Sequence, residues 1–445
     1  MKKITYFLIA GALVLGSCND LLDIEPTDAI SDTEAIKDKT GVNRAVTGAY
    51  NALQQTGSYG RYLVIVEDLA ADNLKWSGTT QSYGQIDNNQ IPADNTLVDG
   101  IWSSAYDCIN RVNNVIYRIP DIGDLTPAER DTYEGEALFL RALCHFNLVS
   151  LFGGVPLKTL PTLDLATINQ ARNPVDEVYA QIIDDLLQAE LKLPSSSTPG
   201  RASSFSAAAL LARVYLTQLH LKNDPALAQL AVAKAEKVIN EGGYALAPAF
   251  GDLFTGNATE SIFEVIFDAQ NRNVLAQYFY PRSLLGRYEV SPQTEFLNSW
   301  EADDTLRFNA TIAYDPDHLP YGYKYRDVTA GTDRVYVLRL AEMYLIRAEA
   351  LAFSNGNIQT IQNDINVIRA RAGLPPTVAE DHNALKLAIQ YERRHELAFE
   401  CLRWSDLVRT KTATVILGID EKFTLFPIPL SEMQTNTDMN QNPGY

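Results

Sequence analysis

GEALFLRALCHFNLVSLF, residues 135–152, mixes small and large apolar side chains and carries one arginine, Arg141, near its middle. Two further stretches are built alike: SAAALLARVYLTQL (206–219), with Arg213, and RLAEMYLIRAEALAF (339–353), with Arg347. Small residues let a second helix approach closely, and large ones fill the groove between them. Tetratricopeptide-type helix pairs use this device. The repeat of about 34 residues that a regular array would show is missing, so the sequence predicts helix pairs of that type and not a strict array.

Helical spacing extends outward from these segments. In 178–191, Val178, Ile182 and Leu186 run beside Tyr179, Ile183 and Leu187, and in 358–371 Ile358, Ile361, Ile365 and Ile368 form one stripe. In 335–353, Leu340, Ala341, Tyr344, Leu345 and Ala348 make one face, with Arg339, Glu342 and Glu349 expected to turn away from it. Pro194, Gly242-Gly243, Gly356 and Gly373 before Pro375-Pro376 read as helix stops. Between the helical blocks, 72–98 reads as a long polar loop. The stretch 244–334 reads as a short strand (261–269) followed by a tyrosine-rich region with Tyr278, Tyr280, Tyr288, Tyr321 and Tyr323. Ordered loops of this length are usually functional.

The 445 residues are 46% hydrophobic and 21% charged, which fits a globular protein with a large core. Formal net charge is −18, which argues against nucleic acid and against adsorption to anionic lipid through a basic patch. Residues 1–18 show Lys2 and Lys3, an apolar run from Ile4 to Leu15, and Leu15-Gly16-Ser17-Cys18. The run is shorter than the stretch of about 20 apolar residues that a spanning helix needs. It reads as a lipoprotein signal, residues 1–17, with Cys18 as the acylated anchor. Several acyl chains, each worth about 0.8 kcal/mol per buried CH₂, would hold the chain durably on a membrane. No other segment is expected to span. Cys108, Cys144 and Cys401 sit among apolar neighbours and read as small buried hydrophobes.

Catalytic and metal signatures are missing. The five histidines form no HExxH or HxH pair, and no nucleophile elbow, Walker loop, GxGxxG or EF-hand loop occurs. No metal, cofactor or catalytic residue is expected. Asp303-Asp304 reads as a turn or salt-bridging element. The densest charged stretch, YERRHELAFECLRWSDLVR (391–409), could hold an anion; its balanced acids and bases read instead as an internal ion-pair network.

At this point the chain resembles the SusD/RagB family of surface nutrient-binding lipoproteins. The resemblance rests on the lipobox followed by NDLLDIEP (19–26), on GEALFLRALCHFNLVSLFGGVPL (135–157), RLAEMYLIRAEAL (339–351) and DINVIRARAGL (364–374), and on ERRHELAFECLRWSDLVR (392–409) and FPIPLSEMQTNTDMNQNPGY (426–445). Cys401 departs from the pattern, where glycine is usual. The resemblance implies a mainly α fold, a tetratricopeptide-like superhelix with long irregular insertions and a minor β element. It implies an N-terminal region, 18–240, and a C-terminal region, 241–445, forming one compact unit. It also implies a lipid-anchored protein at the surface of the outer membrane, seated on a SusC-like TonB-dependent barrel, that captures oligosaccharide (peptide in some members) and is not an enzyme. A structural helical-repeat partner, a peptide-binding RagB-like protein and an outer-membrane hydrolase are the alternatives.

A pyranose offers an apolar C–H face and a rim of hydroxyls, so aromatic rings and Asp, Asn or Gln side chains are the residues to look for. Family members place ligand aromatics in the N-terminal loop and in the insertion before the C-terminal helices. Trp76 and Tyr83, with Asp72, Asn73 and Gln81, are the candidates in the first region; Tyr280, Tyr288 and Trp300 are those in the second. Asp72-Asn73 could equally be turn residues.

Overall fold

The computed structural model describes residues 35–163, 168–256 and 259–445. Cys18 and its signal lie outside the described residues. The architecture is mainly helical. Its first pair joins α1 (Lys39–Leu53) to the long α4 (Thr96–Arg118). The second pairs α5 (Pro127–Phe152) with α6 (Val175–Lys192), and the third α7 (Ser204–Lys222) with α8 (Ala226–Glu241). The fourth pairs α12 (Leu340–Phe353) with α13 (Ile358–Arg371), and α14 (His382–Glu396) packs on both. Neighbouring pairs stack, α4 on α5, α6 on α7 and α8 on α12, into a superhelix.

Local chemistry explains where these helices begin. Thr126 and Glu129 form a reciprocal capping box at the start of α5, with Pro127 in its first turn. Ser203 and Ser206 do the same for α7. The carboxamide oxygen of Asn95 accepts from the first turn of α4, and the Asp381 carboxylate from that of α14. Gly135 lets α5 approach the end of α6: a Cβ there would lie 2.9 Å from Leu193 Cγ. α5 is long and apolar enough to cross a bilayer, but 89% of its most apolar window is buried inside the protein.

The arginine at the centre of each related helix has a definite role. Arg141 on α5 pairs with Asp185 on α6 at 2.6 Å. Arg213 on α7 pairs with Glu342 on α12 at 2.6 Å, and Arg347 on α12 with Asp364 on α13 at 2.6 Å. Each is a charged staple between packed helices. Glu342 and Glu349 do turn off the apolar face of α12, yet both are buried, because arginines from other elements meet them. Amphipathic spacing reports which face is apolar; it does not report that the other face is covered.

Between these pairs lie α2 (Tyr62–Leu69), β1 (Leu74–Trp76) and α3 (Gln81–Asp87), then β2 (Ser261–Val265), α9 (Leu275–Phe279), β3 (Val290–Pro292), α10 (Thr294–Leu297) and α11 (Thr305–Thr311). β4 (Ile312–Tyr314), β5 (Pro320–Gly322) and β6 (Val335–Arg339) complete three two-stranded antiparallel ribbons, β1–β3, β2–β6 and β4–β5. The stretch 72–98 is therefore not one loop. Its strand is only three residues long, too short to show alternation, and α3 is short and polar.

The final segment, α15 (Arg403–Arg409), α16 (Ala413–Leu417) and α17 (Leu430–Thr435), returns across the first half. The Phe426 amide donates to Leu151 O at 2.8 Å, and Asn442 Nδ2 donates to Phe152 O at 2.9 Å and Phe426 O at 2.7 Å. Those acceptors include carbonyls in the last turn of α5, which a helix cannot satisfy by itself. Cys108 and Cys144 are buried and Cys401 half-buried, all free thiols. Cys401 has φ +65°, the left-handed region that favours glycine, which accounts for the residue usual there.

Candidate functional site

The two stretches expected to carry ligand residues meet. Trp76 pairs with Val290, Lys75 with Ser291 and Leu74 with Pro292 across β1 and β3. Beyond the strand, the Ser77 and Gly78 amides both donate to Glu289 O, and the Thr79 and Thr80 amides to Glu289 Oε2 at 3.1 and 3.0 Å. Ser77 Oγ donates to Tyr288 O at 2.9 Å. One short ribbon thus welds positions more than two hundred residues apart.

Trp76 is half-buried on this ribbon. Its amide donates to Asp87 Oδ2 at 3.1 Å, and its indole lies over Gly84, where a Cβ would come within 2.6 Å of Cε3. Its indole N–H is buried without a partner. Gln81 is exposed on the first turn of α3. Tyr288 is half-buried, donates its hydroxyl to Pro320 O at 2.9 Å, and sits at φ +55°. A bulky residue held in left-handed backbone is strained, and such strain gathers at functional sites.

The other candidates have different surroundings. Asn73 is fully buried; its Nδ2 donates to Asp68 Oδ1 at 2.7 Å and its Oδ1 accepts from Arg394 Nε at 2.9 Å. Asp72 is clasped by Arg403 at 2.6 Å and Arg394 at 2.9 Å. Burial would raise its carboxyl, but the Arg403 hydrogen bond and the charges of Arg403 and Arg394 hold it below the usual range. Tyr83 is 1% exposed against Tyr278, and burial pushes its phenol well up. Tyr280 is 8% exposed and packs on Tyr321 with ring centroids 4.5 Å apart. Trp300 is half-buried among Phe296, Phe308 and His395, on the flank of the ion-pair core. In this structure, then, Trp76 and Tyr288 are half-buried and Gln81 is exposed around the β1–β3 ribbon, whereas Asn73 and Tyr83 are buried and Asp72 is held by arginines.

Sequence reasoning passed over the residues beside them. Arg61, just before α2, lies 4.4 Å from the Tyr62 ring centroid and 4.2 Å from that of Tyr278; Arg287 lies 5.0 Å from Tyr278. The Arg287 amide donates to Gln277 O and the Glu289 amide to Tyr278 O, which seats the arginine above the ring. The neighbouring arginine and tyrosine at 61 and 62 were a weak local signal; their partners at 278 and 287 carried none.

The stretch 391–409 is an ion-pair core. Glu392 meets Arg307 and Arg369, each at 2.7 Å. Glu396 meets Arg339 at 2.6 Å and also Arg371, while Glu400 meets Arg339 at 2.6 Å and Lys324. Burial would raise the Glu396 and Glu400 carboxyls; the cations around them hold both below the usual range. Asp304 pairs with Arg307, as the salt-bridging reading expected, and Asp303 is exposed. Among the described residues, no cluster of His, Cys, Asp and Glu could hold a metal ion.

Comparison with known proteins places this geometry. A family profile described as "Starch-binding associating with outer membrane" matches residues 20–216, and one described as "SusD family" matches 287–421. SusD-like protein P2 of Formosa agariphila is 27% identical over 100% of both chains. The starch-binding protein SusD of Bacteroides thetaiotaomicron is 24% identical over 72% of this chain and 74% of that protein. A laminarin-binding SusD-like protein of known structure superposes with TM-score 0.81 at 27% identity, covering 92% of this chain and 100% of that one. A SusD superfamily protein of Bacteroides vulgatus gives TM-score 0.83 at 22% identity, covering 92% of this chain and 99% of that one, which establishes likeness of fold. The two profiles and these relatives together support a SusD/RagB family protein.

Proposed function

We propose that this SusD/RagB protein captures oligosaccharide on the face where β1 meets β3 and passes it to a SusC-like TonB-dependent barrel in the outer membrane. Acyl chains on Cys18 tether it there. The observation that carries this reading is the β1–β3 pairing, which brings half-buried Trp76 from one region next to the segment of half-buried Tyr288 from the other, with exposed Gln81 on the adjoining α3. An indole can take the apolar face of a sugar, and the carboxamide and backbone groups its hydroxyls. The laminarin-binding relative of the same fold supports a glycan in preference to a peptide.

Calorimetry of the mature domain against glycans and peptides tests it. An oligosaccharide is expected to bind, and Trp76→Ala to weaken it by about 1–3 kcal/mol with the helical circular dichroism unchanged. Undiminished affinity in that variant refutes the assignment of the face. Cys18→Ala is expected to release the protein from the membrane fraction, and a co-migrating barrel to appear in pull-downs of the acylated form.

A further inference from the structure

Resting on the glycan reading above, we infer that the ligand is an anionic oligosaccharide, whose carboxylate or sulfate groups are received by Arg61 and Arg287. The chain has 55 acidic residues against 37 Lys and Arg, so carboxylates are plentiful. The buried arginines take them: Arg307 meets Asp304 and Glu392, Arg369 meets Glu301 and Glu392, and Arg409 meets Glu349 and Asp406. Around Tyr278 the pattern is different. Arg61 and Arg287 stack on its ring, and among the described residues neither has a carboxylate within ion-pair distance. The carboxylate beside this cluster is Glu289, whose Oε2 is occupied by the Thr79 and Thr80 amides. The cluster is also short of acceptors. Arg61 Nε and the Tyr83 hydroxyl, the latter on a residue 1% exposed, are buried with no partner.

A guanidinium stacked on a ring has its flat face satisfied and its N–H edge free. A carboxylate or sulfate matches that edge with paired, charge-assisted hydrogen bonds, stronger than those a sugar hydroxyl offers. Arg287 is exposed and Arg61 half-buried, so both can meet a chain lying along the face that Trp76 and Tyr288 share. The aromatic residues would grip the sugar rings, and the arginines would select for charge.

A glycan array carrying neutral glucans, uronic-acid oligosaccharides and sulfated galactans, followed by calorimetry at low and high salt, tests this. The strongest ligand is expected to be anionic, its affinity to fall with salt, and Arg61→Gln and Arg287→Gln each to weaken it about tenfold. The retained class distinguishes carboxylate from sulfate. Arg287, being exposed, keeps the test open should Arg61→Gln fail to fold. A neutral glucan as the strongest ligand, or an anionic one indifferent to both substitutions, overturns the inference and leaves the glycan reading standing. Retention of no glycan at all overturns both.

Discussion

Two regions of this molecule use the same charged residues in opposite ways. In the core around α14, carboxylates and cations meet directly: Arg339 alone contacts Glu260, Glu396 and Glu400. In the insertion from 268 to 334 several carboxylates serve the backbone. Asp315 accepts from the Asp317 and Leu319 amides, Asp327 from Ala330 and Thr332, and Asp333 from Arg326 and Asp327. Arg307 and Arg334 there still pair with carboxylates, but other arginines lean on carbonyls and rings: Arg272 donates to Ala330 O, and Arg326 lies 4.5 Å from the Tyr323 centroid. Inside, an unpaired charge is costly to keep, so around α14 the carboxylates gather cations. In the insertion, buried acids such as Asp315 and Glu289 are met by backbone amides instead, and a cation such as Arg287 is left to water. A core built the first way is rigid; a face built the second way keeps cations available.

The sharpest way to break this contrast is Arg339→Met, which takes one cation from three buried carboxylates and leaves them to Arg371 and Lys324. It is expected to cost about 3–5 kcal/mol in urea unfolding. Acid should act on the same core. The Glu396, Glu400 and Glu349 carboxyls lie below their ordinary value when folded, so the stability they contribute is present above pH 4.5 and is lost as pH falls beneath it. Glu67 runs the other way. Burial pushes it up to about 8, against hydrogen bonds from the Ser405 amide and hydroxyl. With the folded value raised, its contribution is intact below pH 4.5 and declines as pH climbs through 8. Glu67→Gln should remove that decline, recovering about 2 kcal/mol at pH 8 on a stability-versus-pH curve. Gly84→Ala drives a methyl into the Trp76 indole and is expected to cost about 1–2 kcal/mol while also lowering glycan affinity. Arg287→Gln sits at the small end. Its effect on unfolding should stay within about 0.5 kcal/mol, and a larger loss would show that the arginine is structural after all.

Much of the scaffold was legible because periodicity reports it. The three related stretches became α5, α7 and α12, and the strand read at 261–269 became β2. The character of 391–409 as an internal network was legible from its balanced charges, but its partners were not. Arg307, Lys324, Arg339 and Asp72 lie far off in sequence, and no local pattern couples them to it. The site was half legible for the same reason. An indole in a polar stretch marked Trp76, yet nothing near Asn73 or Tyr83 announced that the chain would fold over them. Only the β1–β3 pairing, written in two three-residue strands, decides which side chains stay outside.

The tail that caps α5 has a consequence for the order of events during synthesis. Phe152 emerges from the ribosome 290 residues before the Asn442 side chain that joins Arg172 in donating to its carbonyl. Until then the end of this long, largely buried helix lacks the donors that the tail brings to Leu151 O and Phe152 O. For the exported lipoprotein proposed above, late closure is useful. It postpones the sealing of α5 until the whole chain has been made.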